Sequence, residues 1–582
     1  MLASLDKIET DVIVVGGGAA GTRAALTAAD QGAQVIIIDK AQVGLSGATN
    51  FTIKAEGTWG VQASLDMFYN DSIEDHYREV IQASEGVCDP ELVKILVEEG
   101  PNRITELIKW GLPFDRDEKG NLIKEIGCFS NKARAIHASA PVTISNFLLK
   151  MVKDNENITI LNKTTVIDLM TYNNNCLGVI VSDVNNGEIF FIRSKAVIMA
   201  NGGIGDLFKY NVNPPELCGD GIAIAYRAGA ELTNMEFLQI GIGFLSPICK
   251  VDFPRHLWLL KPQLLDERGR NLLDYYLPAN LNKNKVYKER AEHFPFSSSD
   301  DSLYIDLAIS QANKTSLENK GVRLKINSSE VDSKYINEFH SFKKTQQLLK
   351  AKGLSWNDEN LRVGLYFHSI NGGIKIKKTG AVYGFNRLFA AGEVADGVHG
   401  ANRLGGNMLL ATQVFGYRSG ITAVDYNEYS YGDKIYKKCI ENWKEQHTAG
   451  NGLSFIRINK IISLLSEECS RELLVSRDDK GLEVLYKHII NWENELKESD
   501  WPENHELWLK TKELQNRLQS AKLITVAARE RKESRGSHYR IDFPDKDPGF
   551  CYKLILTRSN EKNGIQDGIK IIKSRGHKNN VI

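Results

Sequence analysis

The stretch DVIVVGGGAAGTRAALTAADQGAQVIIIDK, residues 11–40, decides how the rest of the chain is read. A short apolar run is followed by a glycine turn, a helix-forming segment and a second apolar run, which is a βαβ unit with buried parallel strands. Gly16, Gly18 and Gly21 fit G-x-G-x-x-G between the first strand and the helix. That turn brings backbone N–H groups and a helix N-terminus up to a pyrophosphate. Asp39 closes the second strand, where an acidic residue about 20 positions on meets an adenosine ribose. The unit implies dinucleotide binding and is compatible with FAD or NAD.

Working outward, residues 90–111 and 143–153 carry helical patterns, and strand-like runs follow at 158–170, 176–184 and 188–200. A second glycine turn, MANGGIGD, comes directly after them. Residues 241–367 lose this regularity, and the β/α pattern returns at RLFAAGEVADGVHGANRLGG, so the nucleotide domain reads as discontinuous, with a lid inserted over its site. Leu507, Leu514, Leu518 and Ala521 share one face of a helix in a C-terminal helical region. The expected boundaries are 1–240 and 368–424 for the two nucleotide-domain segments, 241–367 for the lid, 425–545 for the helical domain and 546–582 for a tail with two strand-like runs.

The 582 residues exceed one ordinary core, and 42% hydrophobic with 25% charged residues suits packed domains. Lys+Arg and Asp+Glu both number 73, which leaves no net field for a nucleic acid. The eight scattered cysteines form no C-x-x-C pair, so no metal site is expected and reduced thiols fit a cytoplasmic protein. The N-terminal stretch is polar and the apolar run after it reads as a short strand, so no signal peptide is expected, and no run of roughly 18 apolar residues exists to cross a membrane. Any membrane contact would come through another subunit.

GVHGANRLGGNMLLATQVFG at 397–416 resembles the H-G-A-N-R-L-G-G-N-S-L signature of the fumarate reductase/succinate dehydrogenase/L-aspartate oxidase flavoproteins. ANGGIGDLF, CGDGIAIAYRAGAELTNMEFLQ and ESRGSHYRIDFP resemble further motifs of that family along most of the chain. The resemblance implies an α/β fold: a discontinuous Rossmann-like FAD-binding domain, an inserted α+β capping domain and a C-terminal helical domain. It implies FAD as cofactor, surrounded by Gly16, Gly18, Gly21, Asp39, Lys40, Ser46, Val166, Asn201, Asp220, Glu393, Arg403, Asn407, Met408 and Leu409. Glu393 is then an acceptor for flavin ribityl hydroxyls, and the helix start after Arg403 faces the pyrimidine edge. Asp220 and Glu393 also read simply as capping or surface carboxylates. Where succinate dehydrogenases carry the S-H-T histidine that bonds the flavin, this chain reads Ser46-Gly47-Ala48, so non-covalent FAD is expected.

By the same resemblance Arg403 grips a substrate carboxylate with its fork of donors, and His368, in HSINGGI, holds the same or a second carboxylate. The remaining readings are a buried salt bridge for Arg403 and a core hydrogen bond for His368. The other half of the family pocket departs from the pattern. EFLQIGIGF replaces E-F-V-Q-F-H-P-T-G, so the substrate-binding His and Thr become Gly241 and Gly243. The best register puts Trp258 where the family has its proton-shuttling arginine, with Arg255, His256 and Lys261 nearby. A second substrate carboxylate would lie there without a partner, which costs several kcal/mol. Succinate and fumarate are therefore poor candidates. Glu125 resembles an acidic residue that aspartate oxidases use near a substrate amine, and reads equally as a solvated loop charge. In GCFSNKARAIHA, Arg134 and His137 match the family, Cys128 replaces a histidine, and Ala140 replaces the acidic residue that follows. The expected activity is hydride transfer between flavin N5 and a small carboxylate-bearing substrate, an amino acid or an enoate. The alternatives are an adenylylsulfate-reductase-like flavoprotein, and an electron-transfer subunit with a degenerate site served by a partner. An oligomer is compatible with any of these.

Overall fold

The structure is a computed structural model that describes residues 8–48, 59–65, 70–138, 141–315, 321–326, 340–426, 431–447, 449–450, 452–558 and 568–574. The polar N-terminal stretch before Ile8, the far end of the tail and Ala140 lie outside the described residues. Strand β1 (Ile8–Val15), helix α1 (Ala19–Asp30) and strand β2 (Val35–Asp39) form the expected βαβ unit. Val12, Ile13 and Val14 are fully buried, because β1 lies between two parallel neighbours, β2 and the strand Ile189–Met199. A central strand covered on both faces calls for this continuous apolar run.

The sheet continues from β2 to Ile158–Asn162 on one side. On the other side Leu388–Ala390 pairs in parallel with the end of Ile189–Met199, and the antiparallel strands Asn175–Asp183 and Thr164–Tyr172 complete the seven. Alanine-rich α1 packs against helix Asn407–Ala423. A Cβ at Gly416 or Gly420 would stand 2.9 or 2.7 Å from the carbonyl oxygens of Ala20 and Ala24, so the small residues set the closeness of this crossing.

A five-stranded antiparallel sheet forms the lid. Leu238–Ser246 and Arg362–Ile370 pair at its centre with Gly241 opposite Tyr366, and the strands of both segments cross the positions 240/241 and 367/368. Helices Lys283–Glu292, Leu303–Thr315 and His340–Ala351 accompany it, giving an α+β lid. Helices Phe455–Glu472, Asp479–Glu498 and His505–Glu530 make the C-terminal helical part. The tail returns to the body as Lys553–Arg558 and Ile569–Ser574, joining Leu232–Thr233 in a further sheet. The E-S-R-G-S-H segment forms a buried ionic knot: Arg531 bridges Glu236 and Glu533, and Arg535 pairs with Glu533. The Ser537 amide donates to the Ala401 carbonyl at 2.9 Å, so the knot braces the loop that carries Arg403. Among the described residues no helix is long and apolar enough to cross a membrane.

Candidate active site

A cavity of about 480 Å³ runs from the glycine turn to the underside of the lid. At one end it is bounded by Gly16, Gly18 and the first residues of α1. Gly16 has φ +106°, and a Cβ at Gly21 would stand 1.8 Å from the Gly16 carbonyl oxygen, so neither position accepts a side chain. Gly18 caps α1 without any side-chain acceptor, and the first turn holds no acidic residue. An uncapped helix start with its positive dipole end at a cavity is suited to a diphosphate.

Asp39 stands beside this turn. Its carboxylate accepts from the Gly17 amide at 2.8 Å, the Ala41 amide at 2.8 Å and the Ser46 hydroxyl at 2.9 Å. Ser46, Gly47 and Ala48 line the same end, with no imidazole among them. Lys40 is committed to Asp220, 2.6 Å away, and to the Cys218 thiol, while Asn516 of the C-terminal helix donates to the other Asp220 oxygen at 2.7 Å. Asp220 is thus the first residue of a helix, ion-paired to Lys40 within the nucleotide domain and hydrogen-bonded to the C-terminal helix through Asn516.

Val166, Asn201, Glu393, Met408 and Leu409 line the middle of the cavity. The buried Asn201 Oδ1 has no hydrogen-bond partner, which leaves an acceptor for a ligand hydroxyl or amide. Glu393 accepts from the Ile370 amide at 3.1 Å, and burial pushes its carboxyl up to about 7. Asn407 departs from the sequence expectation: it does not line the cavity, because its side chain turns back to His76 Nε2 at 3.0 Å. The backbone at this point keeps the expected role. Gly406, with φ +87°, starts helix Asn407–Ala423 without a side-chain cap, and Gly405 and Gly406 line the cavity. Two uncapped helix starts and an unpartnered buried acceptor along one cleft fit FAD.

The lid end is built from side chains. Arg403 is buried, and its Nη2 donates to Gln239 Oε1 at 2.6 Å and its Nη1 to the Leu404 carbonyl at 3.1 Å. Its Nε has no partner, and among the described residues no carboxylate lies within ion-pair distance. Burial lowers its pKa to about 10, against the opposing pull of Glu393 and Cys128, so it stays charged at neutral pH. Gln239 is fixed in turn, since its Nε2 donates to Asn402 Oδ1 at 3.0 Å, and the Asn402 amide nitrogen donates to the Phe296 carbonyl at 3.2 Å. The Ser369 hydroxyl donates to Gln239 Oε1 at 3.3 Å and lies 3.2 Å from His368 Nδ1. The Ser369 hydroxyl thus ties the His368 ring to the Gln239–Arg403 network. Burial and the neighbouring Arg403 charge push His368 down to about 3, so the ring is neutral.

Trp258 corrects the sequence register. It is 1% exposed and does not line the cavity. The turn Arg255–Leu260 directs it into the lid core, edge-on to Phe253 at 4.8 Å and stacked near Tyr287, while Arg255 and His256 line the cavity. Arg255 is already engaged with the carbonyls of Glu292 and, at 3.0 Å, Ile126. Burial lowers His256 to about 3. Glu125 is exposed on the strand Lys124–Ile126 and lines the cavity. Cys128 lines it too and accepts from the Phe294 amide at 3.3 Å. His137 also lines the cavity, whereas Arg134 is buried in ion pairs with Asp71 and Glu79.

Four lid-end residues carry no assigned role in the sequence reading: Gln239, Asp252, Phe294 and Tyr366. Gln239 sits inside the matched segment ending MEFLQ, so its place was visible there. The other three come together only through strand pairing and give no local signal.

This fold and cleft define a flavoprotein of the two-domain type, with a dinucleotide sheet closed by a lid. The FAD binding domain family matches residues 11–409, and the fumarate reductase flavoprotein C-terminal family matches residues 464–571. A component of the fumarate reductase (CoM/CoB) of Methanothermobacter marburgensis is 31% identical over 568 residues, covering 95% of this chain and 98% of that protein. Chloroplastic L-aspartate oxidase of Arabidopsis thaliana is 32% identical over 569 residues, covering 92% of this chain and 81% of that protein. A quinol–fumarate reductase solved with menaquinol molecules shares the fold with a TM-score of 0.82 at 23% identity, covering 99% and 100% of the two chains. The chain belongs to the fumarate reductase/succinate dehydrogenase/L-aspartate oxidase flavoprotein family and is an FAD-dependent oxidoreductase.

Proposed function

We propose that the protein transfers hydride to or from the carbon next to a carboxylate gripped by Arg403, on an amino acid or enoate and not on succinate or fumarate. Bound FAD supplies the two-electron chemistry. The observation that carries the reading is Arg403 itself, a buried guanidinium lining the FAD cleft with no anionic partner within ion-pair distance among the described residues. Such a group is costly to hold without an anion, and a substrate carboxylate provides one.

Gln239 and the Leu404 carbonyl hold the guanidinium plane, so little ordering is left for binding to supply. His368, a neutral ring lining the same cavity, is the candidate to take a proton from a substrate amine or hydroxyl, or to return one in the opposite direction. Burial is the larger cause of the lowered His368 value; an anion on Arg403 offsets only the smaller contribution of the Arg403 charge. Among the described residues the only further guanidinium lining the lid end is Arg255, which already donates to two carbonyls and is therefore a poor holder for a dicarboxylate's second group. Gly241 and Gly243 have no side chains.

Purified protein is expected to be yellow, to release its flavin on denaturation, and to bleach anaerobically with an amino acid or to oxidise from the reduced state with an enoate. Turnover of succinate or fumarate at rates that match the family's own enzymes contradicts the reading. Flavin that stays with the denatured chain contradicts its non-covalent part. Oxygen reactivity of the reduced protein separates an oxidase from an enzyme that needs a partner protein for its electrons.

A further inference from the structure

Gly241 and Gly243 do more than remove two polar groups. On the strand Leu238–Ser246 they face Tyr366 and Gly364 of the neighbouring strand, and Asp252 pairs across from Gly243. A Cβ at Gly243 would stand 2.4 Å from Tyr366 Cε1, and one at Gly241 would stand 2.4 Å from Phe294 Cζ and 2.9 Å from the Tyr366 hydroxyl oxygen. The two glycines therefore make the space in which the Tyr366 ring lies across the sheet, its hydroxyl donating to Asp252 Oδ1. Asp252, Phe253, Phe294 and His256 line the cavity at this end. Among the described residues no lysine, arginine or histidine lies within ion-pair distance of Asp252. One cavity thus carries a buried cation without an anion at one end and a carboxyl without a cation at the other.

We propose that the Asp252–Tyr366 pair forms a distal subsite for a cationic ammonium or guanidinium group, so that the enzyme selects carboxylic acids bearing a remote basic group. The inference rests on the reading of Arg403 as the carboxylate holder. Ser369, which contacts the Arg403 network, and Tyr366 lie on one strand three positions apart, roughly 10 Å for a regular strand and shorter here, where the pairing slips by one residue between Phe367 and Ser369. That spacing suits the extended chain of a basic amino acid or a similar ω-amino acid. Between the two ends, the Phe294 ring stands edge-on to His368 at 5.7 Å and tilted to Tyr366 at 6.1 Å, giving the intervening methylenes an apolar surface. Burial pushes the Asp252 carboxyl up to about 6, which leaves it largely ionised at neutral pH, and an arriving cation draws it back toward its ordinary value. The same carboxylate repels the second carboxylate of succinate, which agrees with the exclusion of dicarboxylates.

The test uses holoenzyme and four probes of similar length, hexanoate, 6-aminohexanoate, adipate and hexylamine, with binding read from the flavin absorbance. In the wild type 6-aminohexanoate is expected to bind roughly tenfold or more tighter than hexanoate, the scale of one charged hydrogen bond, with adipate weakest. Asp252→Asn, which retains an acceptor for Tyr366, is expected to bring 6-aminohexanoate and hexanoate within twofold while leaving hexanoate affinity unchanged. Equal affinities in the wild type, or a preference that survives Asp252→Asn, overturn the proposal. If hexanoate fails to bind but hexylamine binds in an Asp252-dependent way, the Arg403 reading fails and the distal subsite stands. If none of the four binds, both fall.

Discussion

The two ends of the cleft are built by different means. The nucleotide end is made almost entirely of backbone: a glycine turn, two uncapped helix starts and one orphaned amide oxygen, with Gly16, Gly18 and Gly21 all falling within six residues. The lid end is made of side chains, Gln239, Asp252, Phe294, His368 and Arg403, drawn from separate stretches of the chain, with Tyr366 behind them on Asp252. Backbone recognition tolerates little change because the chain has no room for it. Side-chain recognition can be rewritten residue by residue, and the proposed subsite behind Gly241 and Gly243 is such a case. A shared cofactor chemistry can in this way serve a different substrate without altering the sheet that holds the cofactor.

Substitutions separate the two ends. The largest effect is expected from Gly21→Val: its Cβ would stand 1.8 Å from a backbone oxygen that cannot yield, so the turn cannot form. The purified variant is expected to be colourless, with flavin content near zero by absorbance. A yellow variant would mean that the turn is not what holds the cofactor. A much smaller effect is expected from Trp258→Phe. Trp258 packs in the lid core and not on the cavity, so a loss of about 1–3 kcal/mol in unfolding free energy is expected, with flavin content and KM unchanged. A large change in KM at unchanged stability would return Trp258 to the substrate wall.

The same contrast explains how much of the molecule was legible in the sequence. The βαβ unit, the second glycine turn and the G-A-N-R loop are each written in one contiguous stretch, and their chemistry follows from local geometry. Asp39 and Arg403 lie at the cleft where those stretches put them, as do Glu393 in AAGEV and His368 in HSINGGI. Trp258 did not follow its register, because a short turn of helix decides which side of Arg255–Leu260 faces the cavity, and a one-residue offset exchanges core for site. Asn407 departs for a similar reason: the chain around it faces the cleft while its side-chain oxygen turns back to His76, more than three hundred residues away in the chain. Asp252, Phe294 and Tyr366 could not be assigned before the strand register was known, since only the pairing of Gly241 with Tyr366 and of Gly243 with Asp252 brings them together.

The most direct measurement is a titration of oxidised holoenzyme with a monocarboxylate that bleaches or perturbs its flavin, carried out in parallel on wild type and Arg403→Leu at matched flavin content. Loss of at least about a hundredfold in affinity, the scale of a buried charged pair with one partner removed, is the expected result. Equal affinity in the two proteins would show that Arg403 does not hold the substrate.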